Sequence, residues 1–268
     1  FRTAKLLVPS LAPGLSSFPF ILEFLGEEYL AKAAMSDLGN KVFVLFFLYL
    51  VAMNCHYNLQ STQKKNGGTK LKSLIKAMVS EPVNIFIGAA LVLLVFGVSM
   101  NSLPFFLSET LEKLSLIMTP LVLLFIGLAV KIKRKQFFQI FSLLCIRAGL
   151  VLLISGIFMT VTGIEARNEI LLTIAFGLSA CSFWPYAHIA AVDSMEMDKK
   201  SKNKTFSSDF GVAILALSFP LSTILILATL NSGSFFMNPL NIFMMGVVLI
   251  TVGFVIPLVS GVSKKKWS

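Results

Sequence analysis

A charge inside an oily stretch is where chemistry is most expected, and this sequence has one at Arg147, in FSLLCIRAGLVLLISG. About ten residues into its helix, or roughly 15 Å at the standard rise, a guanidinium lies near a bilayer midplane, where an unpaired charge costs about 2.5 kcal/mol or more. It must therefore face protein or water, where it can partner an anion. The rival reading is a structural pair with a carboxylate, or a side chain reaching toward the interface. Asp37 and Lys41 stand four apart with Asn40 beside them, a favourable helical pairing. Buried, Asp37 is a proton site; nearer the interface, the two are ordinary surface partners. His188, beside Trp184 and Tyr186, is of the residue type that titrates near neutral pH and couples protons, or else it simply packs.

A second set is small and uncharged. Ser16 and Ser17 sit among Pro13, Gly14 and Pro19, and Ser179 and Ser182 precede Pro185. Hydroxyls and exposed peptide groups can hold a polar solute and release it without covalent chemistry. Nucleophile–base pairs, glycine-rich phosphate loops and metal-ligand spacings do not stand out, so a non-enzyme with no cofactor and no metal site is expected. Cys55, Cys145 and Cys181 lack CxxC spacing and read as small buried hydrophobes.

These groups need a scaffold, and the composition names its solvent. Of 268 residues, 56% are hydrophobic and only 13% charged, with a mean hydropathy of +0.84. A soluble domain carries about 25% charged residues. The long apolar runs point to an all-α polytopic membrane protein rather than a barrel of short alternating strands. About eight transmembrane spans are expected, near 6–25, 29–54, 82–103, 111–132, 137–163, 170–192, 210–230 and 239–259.

The net charge of +10 belongs to topology and not to a nucleic-acid partner. Arg2 and Lys5, then Lys64, Lys65, Lys70, Lys72 and Lys76, Lys131, Lys133, Arg134 and Lys135, Lys199, Lys200, Lys202 and Lys204, and Lys264 to Lys266 fall in alternate loops. The other loops hold Glu27 and Glu28, Glu109 and Glu112, and Glu165 and Glu169. By the positive-inside rule both ends of this chain face the cytoplasm, across the plasma or inner membrane. The loop after His56 reads as a basic linker. Leu71, Leu74, Ile75 and Met78 at helical spacing beside Lys70, Lys72 and Lys76 give it a surface-helix pattern.

The first and sixth spans do not read as single rods. Proline removes a helical hydrogen bond and clashes with the preceding turn, so the first span is expected to break over residues 12–18, and the sixth near Ser179 to Pro185. They run in opposite directions, as two broken crossing helices of an inverted repeat would. Simple proline-kinked packing helices are the alternative.

The run PGLSSFPFILEFLGEEYLAKAAMSDLGNKVFV resembles the fourth and fifth helices of the auxin efflux carrier family of permeases. Gly14, Pro19, Gly26, Glu27, Glu28, Asp37, Gly39 and Asn40 carry the likeness; the family's Asn falls on Ala12 and a Gly on Ser17. Pro82, Pro120 and Gly127 extend it to later helices, and residues 170–230 look like its ninth and tenth helices. The resemblance implies two inverted five-helix repeats, a fold shared with the bile acid and sodium symporter superfamily. Residues 1–54 would then close the first repeat, 55–81 form a cytoplasmic linker, 82–230 form the second repeat and 231–268 an additional span and basic tail. Three helices would precede Phe1.

The expected function is secondary active transport of a small organic anion such as a carboxylate, by alternating access, coupled to a proton or to sodium. Substrate would contact Pro13, Gly14, Ser16, Ser17, Pro19, Ser179, Ser182, Pro185 and Arg147, and coupling would fall to Asp37, Asn40 or His188. The expected partners are that anion, the lipid bilayer and the coupling ion, with a homodimer as an open possibility. A non-transporting membrane ligand sensor or scaffold is the alternative.

Overall fold

The computed structural model describes residues 2–60, positions 85, 89, 92, 93 and 95–98, and residues 102–198 and 204–259. The basic stretch 61–80 with its surface-helix pattern, most of the expected third span, the lysines at 199, 200 and 202, and the basic tail lie outside the described residues. Within them the chain is helical, with no strand. The helices are α1 (Arg2–Leu7), α2 (Pro13–Ser16), α3 (Phe18–Leu25), α4 (Glu27–Val42), α5 (Leu48–Gln60), α6 (Phe105–Ala129), α7 (Arg134–Thr162), α8 (Arg167–Gly177), α9 (Trp184–Asp198), α10 (Ser208–Leu230) and α11 (Pro239–Val259). A π-helical turn, Phe43–Phe47, joins α4 to α5 without a break.

Among the described residues four helices are long and apolar enough to cross a membrane: Glu27–Leu59, Arg134–Thr162, Ser208–Leu230 and Pro239–Leu258. The charges of the expected second span do not interrupt it, because Asp37 is paired with Lys41 and Asn40 within the helix. The first expected span is three shorter helices and the sixth is two, each interrupted by irregular backbone.

Proline explains where those helices stop and start. Pro9 disfavours helix at Val8 and brings no N–H, so α1 ends at Leu7 and residues 8–12 run irregularly. Pro13 and Pro19, expected to break the span, instead occupy the first turns of α2 and α3, where a missing N–H costs nothing. The break therefore lies upstream of the expected 12–18, with only a jog at Ser17 between α2 and α3. In the sixth span the irregular segment is 178–183, and Pro185 sits in the first turn of α9. Gly26, at a φ of 95°, closes α3 in a conformation that favours glycine.

Packing divides around the two breaks. One apolar core gathers Leu6 and Leu7 of α1, Val44 and Leu48, Ile140 and Leu144 of α7, Ile189 of α9 and Ile214 of α10. The other gathers Ile21 of α3, Ala33 of α4, Ala148 and Leu152 of α7, Ile174 of α8 and Ile226 of α10. The continuous helix that runs from α4 through the π turn into α5 contributes to both cores, as do α7 and α10. Between those contributions lie their polar residues: Asp37 and Asn40, Arg147, and Ser218 and Ser222. The molecule is thus two apolar blocks with a buried polar layer between them.

Candidate functional site

The polar layer is where the broken helices meet. Irregular backbone cut off from water leaves donors and acceptors that each cost about 1–3 kcal/mol if unpaired, so every group in the two breaks needs a partner. The partners come largely from the opposite break. Ala12 N–H donates to the Ala180 carbonyl at 2.8 Å. Ala180 N–H donates to Ser16 Oγ at 2.8 Å, Ser182 N–H to Ser10 Oγ at 2.9 Å, and Ser179 Oγ to Ser17 Oγ at 3.0 Å. Helices that hold each other supply the rest. Cys181 N–H donates to Ser218 Oγ of α10 at 3.2 Å, and Asn40 Nδ2 of α4 donates to the Leu11 carbonyl at 3.0 Å.

Arg147 completes the layer. Its Nε donates to the Val8 carbonyl at 2.7 Å, and its Nη2 donates to the carbonyls of Ser10 at 3.1 Å and Ser179 at 2.7 Å. One guanidinium thereby ties both breaks to α7. Among the described residues no carboxylate lies within ion-pair distance of it. Hydrogen bonds to a charged group contribute about 1.5–3 kcal/mol each, and three of them outweigh the roughly 2.5–3.5 kcal/mol cost of a midplane charge. The structural alternative with a carboxylate partner gives way here to carbonyl partners, whose dipoles do the same work.

Most of the expected site residues are gathered, but not as free groups. Ser16, Ser17, Ser179 and Ser182 are buried and bonded, as is Arg147. Peptide groups left unpaired to hold a solute were expected at the crossing; in this conformation they are taken by one another. Pro13 and Pro185 are buried beside them, whereas Gly14 and Pro19 are exposed. A side chain at Gly14 would meet open space. Asp37 reaches the layer through Asn40, whose Nδ2 donates both to Asp37 Oδ1 at 2.9 Å and to the Leu11 carbonyl; Lys41 Nζ lies 3.2 Å from its other oxygen. His188 is buried but turned elsewhere, its Nε2 3.1 Å from the Val44 carbonyl in the π turn. A π turn leaves carbonyls off the regular ladder, and His188 satisfies one of them.

Two residues of the layer were missed in the sequence. Ser10 and Ser218 are both buried and both cap a peptide N–H of the second break. Ser10 carried a legible signal, a hydroxyl directly after Pro9 in an apolar run; Ser218 carried the weaker one of standing two before Pro220.

Beside the layer a cleft of about 600 Å³ opens between the first break and α7. Its walls are mostly aliphatic, including Val8, Pro9, Leu11, Leu150, Val151 and Ile154, with Lys5, Arg147 and Ser155 as its polar residues. Arg147 Nη1 makes no hydrogen bond to a described residue, so one donor edge of the guanidinium is uncommitted.

Contacts away from the layer join helix ends in two sets. Lys32 bridges Glu28 at 3.0 Å and Glu169 of α8 at 3.4 Å. In the other set, Ser207 N–H donates to Thr3 Oγ1 at 3.0 Å, and His56 Nδ1 lies 2.9 Å from Glu196 Oε1. Glu196 also accepts from the Thr205 N–H at 3.0 Å and from the Thr205 hydroxyl. Among the described residues no three His, Cys, Asp or Glu gather as metal donors, and all three cysteines are free.

The chain is similar to an uncharacterized transporter, MJ1031, of Methanocaldococcus jannaschii, with 28% identity over 124 residues, 46% of this chain and 37% of that protein. The match thus spans little more than a third of the length of the relative. No family model matches the chain, and no solved structure does.

Proposed function

We propose that this chain belongs to a secondary transporter of small organic anions, working by alternating access. The observation that carries the reading is the meeting of two broken helices around one buried cation, beside an open, aliphatic cleft. Transporters place solutes next to such breaks near the midplane. The likeness to a protein named as a transporter supports the same class.

The anion would lie in the cleft, its carboxylate toward the uncommitted edge of Arg147 and its body against Leu150 and Ile154. The serines of the crossing then serve as the joint across which the blocks rock, breaking and remaking bonds such as Ser16 to Ala180. Proton coupling falls most simply to Asp37, which reaches the first break through Asn40. The resemblance to auxin efflux carriers, two inverted repeats, and basic loops facing the cytoplasm of the plasma membrane complete the proposal.

Uptake of labelled carboxylates of increasing apolar size into proteoliposomes containing the full-length protein tests it. Saturable uptake that responds to an imposed pH gradient supports the reading. Binding without flux for every anion would favour the second reading, a membrane ligand sensor or scaffold. One observation speaks for that alternative: the crossing closes its own hydrogen bonds, which suits a fixed module as well as a moving one.

A further inference from the structure

Unwound backbone inside a membrane presents converging carbonyls, and converging carbonyls are a cation site: discontinuous helices commonly use them to hold sodium. Here three carbonyls converge, from Val8 and Ser10 in the first break and Ser179 in the second. All three accept from the same guanidinium. Arg147 is buried at 7% exposure and sits between the two apolar cores on α7.

We propose that Arg147 is a tethered cation: it fills the seat that the Val8, Ser10 and Ser179 carbonyls would otherwise offer to an alkali-metal ion, so the crossing is held without sodium. An alkali ion in that seat would lie within van der Waals reach of a permanent positive charge, at an interior dielectric where like charges repel strongly. Sodium, left open by the sequence, does not fit the residues present at this crossing. The consequence for coupling rests on the transporter reading; the tethered cation itself does not.

The test therefore uses stability and needs no substrate. Full-length protein in detergent is unfolded thermally in sodium, potassium, choline or methylguanidinium chloride at matched ionic strength. The variants are Arg147→Ala, Arg147→Lys and, as a control on the same helix, Leu144→Ala. Wild type is expected to melt at one temperature in sodium and choline. Arg147→Ala is expected to melt lower and to regain about 2–4 °C or more with millimolar methylguanidinium, and a smaller part with sodium, as linkage requires for a ligand entering a vacated site. Leu144→Ala, destabilised by a cavity, is expected to gain nothing from either cation. Arg147→Lys should fall between wild type and Arg147→Ala.

Sodium-specific stabilisation of wild type overturns the proposal. So does an Arg147→Ala protein whose cation response matches that of Leu144→Ala. Should Arg147→Ala yield no folded protein, a folded Arg147→Lys together with a sodium-insensitive wild type supports it, and failure of both Arg147 variants overturns it, because lysine also brings a cation. Flux assays can fail for reasons of substrate without altering any of these results, and sodium-independent uptake would extend the inference to coupling.

Discussion

Helix α7 is held on two faces by opposite means. Arg147 and Gly149 are about 200° apart around it at 100° per residue, and each serves a different neighbour. The Arg147 face meets irregular backbone and is held by hydrogen bonds from one side chain to three carbonyls. The Gly149 face meets α11 along much of its length and is held by shape. A Cβ on Gly149 would lie 2.5 Å from the Gly246 carbonyl oxygen, and one on Gly253 would lie 2.9 Å from that of Ser142. One polar bond crosses this seam, from Ser142 Oγ to the Gly253 carbonyl at 2.5 Å. In a bilayer there is no hydrophobic drive between helices, and close packing of small residues takes its place. The contrast separates what α7 contributes: a seam with little room to move on one side, and on the other a set of bonds that can be exchanged one at a time.

The largest effect should come from cutting the polar face. Arg147→Met keeps the bulk of the side chain but strands three carbonyls, at about 1–3 kcal/mol each, against a gain of roughly 2.5–3.5 kcal/mol for removing a midplane charge. A net loss of about 3 kcal/mol in unfolding free energy, with flux abolished, is expected from chemical denaturation in detergent and from proteoliposome uptake. An unchanged stability would mean that the breaks hold each other without α7.

Gly149→Val attacks the other face, where overpacking costs about 1–3 kcal/mol. Here stability should fall while the anion response survives in whatever protein remains folded, because the seam touches neither break. If Gly149→Val instead alters substrate selectivity with stability intact, the two faces are coupled and the separation drawn above fails.

Ser16→Ala should cost about 1–2 kcal/mol by leaving the Ala180 N–H unpaired. Combined with Ser179→Ala it should be non-additive, since both side chains bridge the same pair of segments. Combined with Gly253→Ala, with which it shares no partner, it should be additive to within about 0.5 kcal/mol. Equal coupling in both cycles would erase the distinction between the polar layer and the seam.

Much of this was legible in the sequence, but unevenly. Proline, glycine and serine announced two interrupted spans; the meaning of each proline was harder, because Pro13 and Pro19 start helices as readily as they stop them. Arg147 stood out by residue type, yet its partners did not, since carbonyls belong to every residue and leave no mark on composition. The seam was legible and was missed. Gly149 and Gly156 are seven apart, as are Gly246 and Gly253, which is nearly two turns and so one face on each helix. Nothing comparable marks the π turn at Phe43–Phe47, whose residues suit an ordinary helix. The meeting of His56 with Glu196, 140 positions apart, depends on how helix ends assemble and has no local signature.

That last contact supplies the smallest effect and a control on the other two regions, because it holds helix ends and touches neither face of α7 at its middle. Burial pushes the Glu196 carboxyl up from its ordinary value, but hydrogen bonds from Thr205 and His56 outweigh it and hold the carboxyl below that value. A depressed carboxylate stabilises the fold fully above its unfolded value, 4.5 here, and loses that contribution as pH falls through the folded value. Wild type should therefore exceed Glu196→Gln in stability by about 1 kcal/mol near neutral pH, and the gap should close only below the ordinary carboxylate range. Denaturation followed across that acid range measures it directly. The Arg147→Met deficit should stay constant over the same window, since its partners are backbone carbonyls; a deficit that also closes in acid would place a carboxylate against Arg147 and undo the carbonyl account of the crossing.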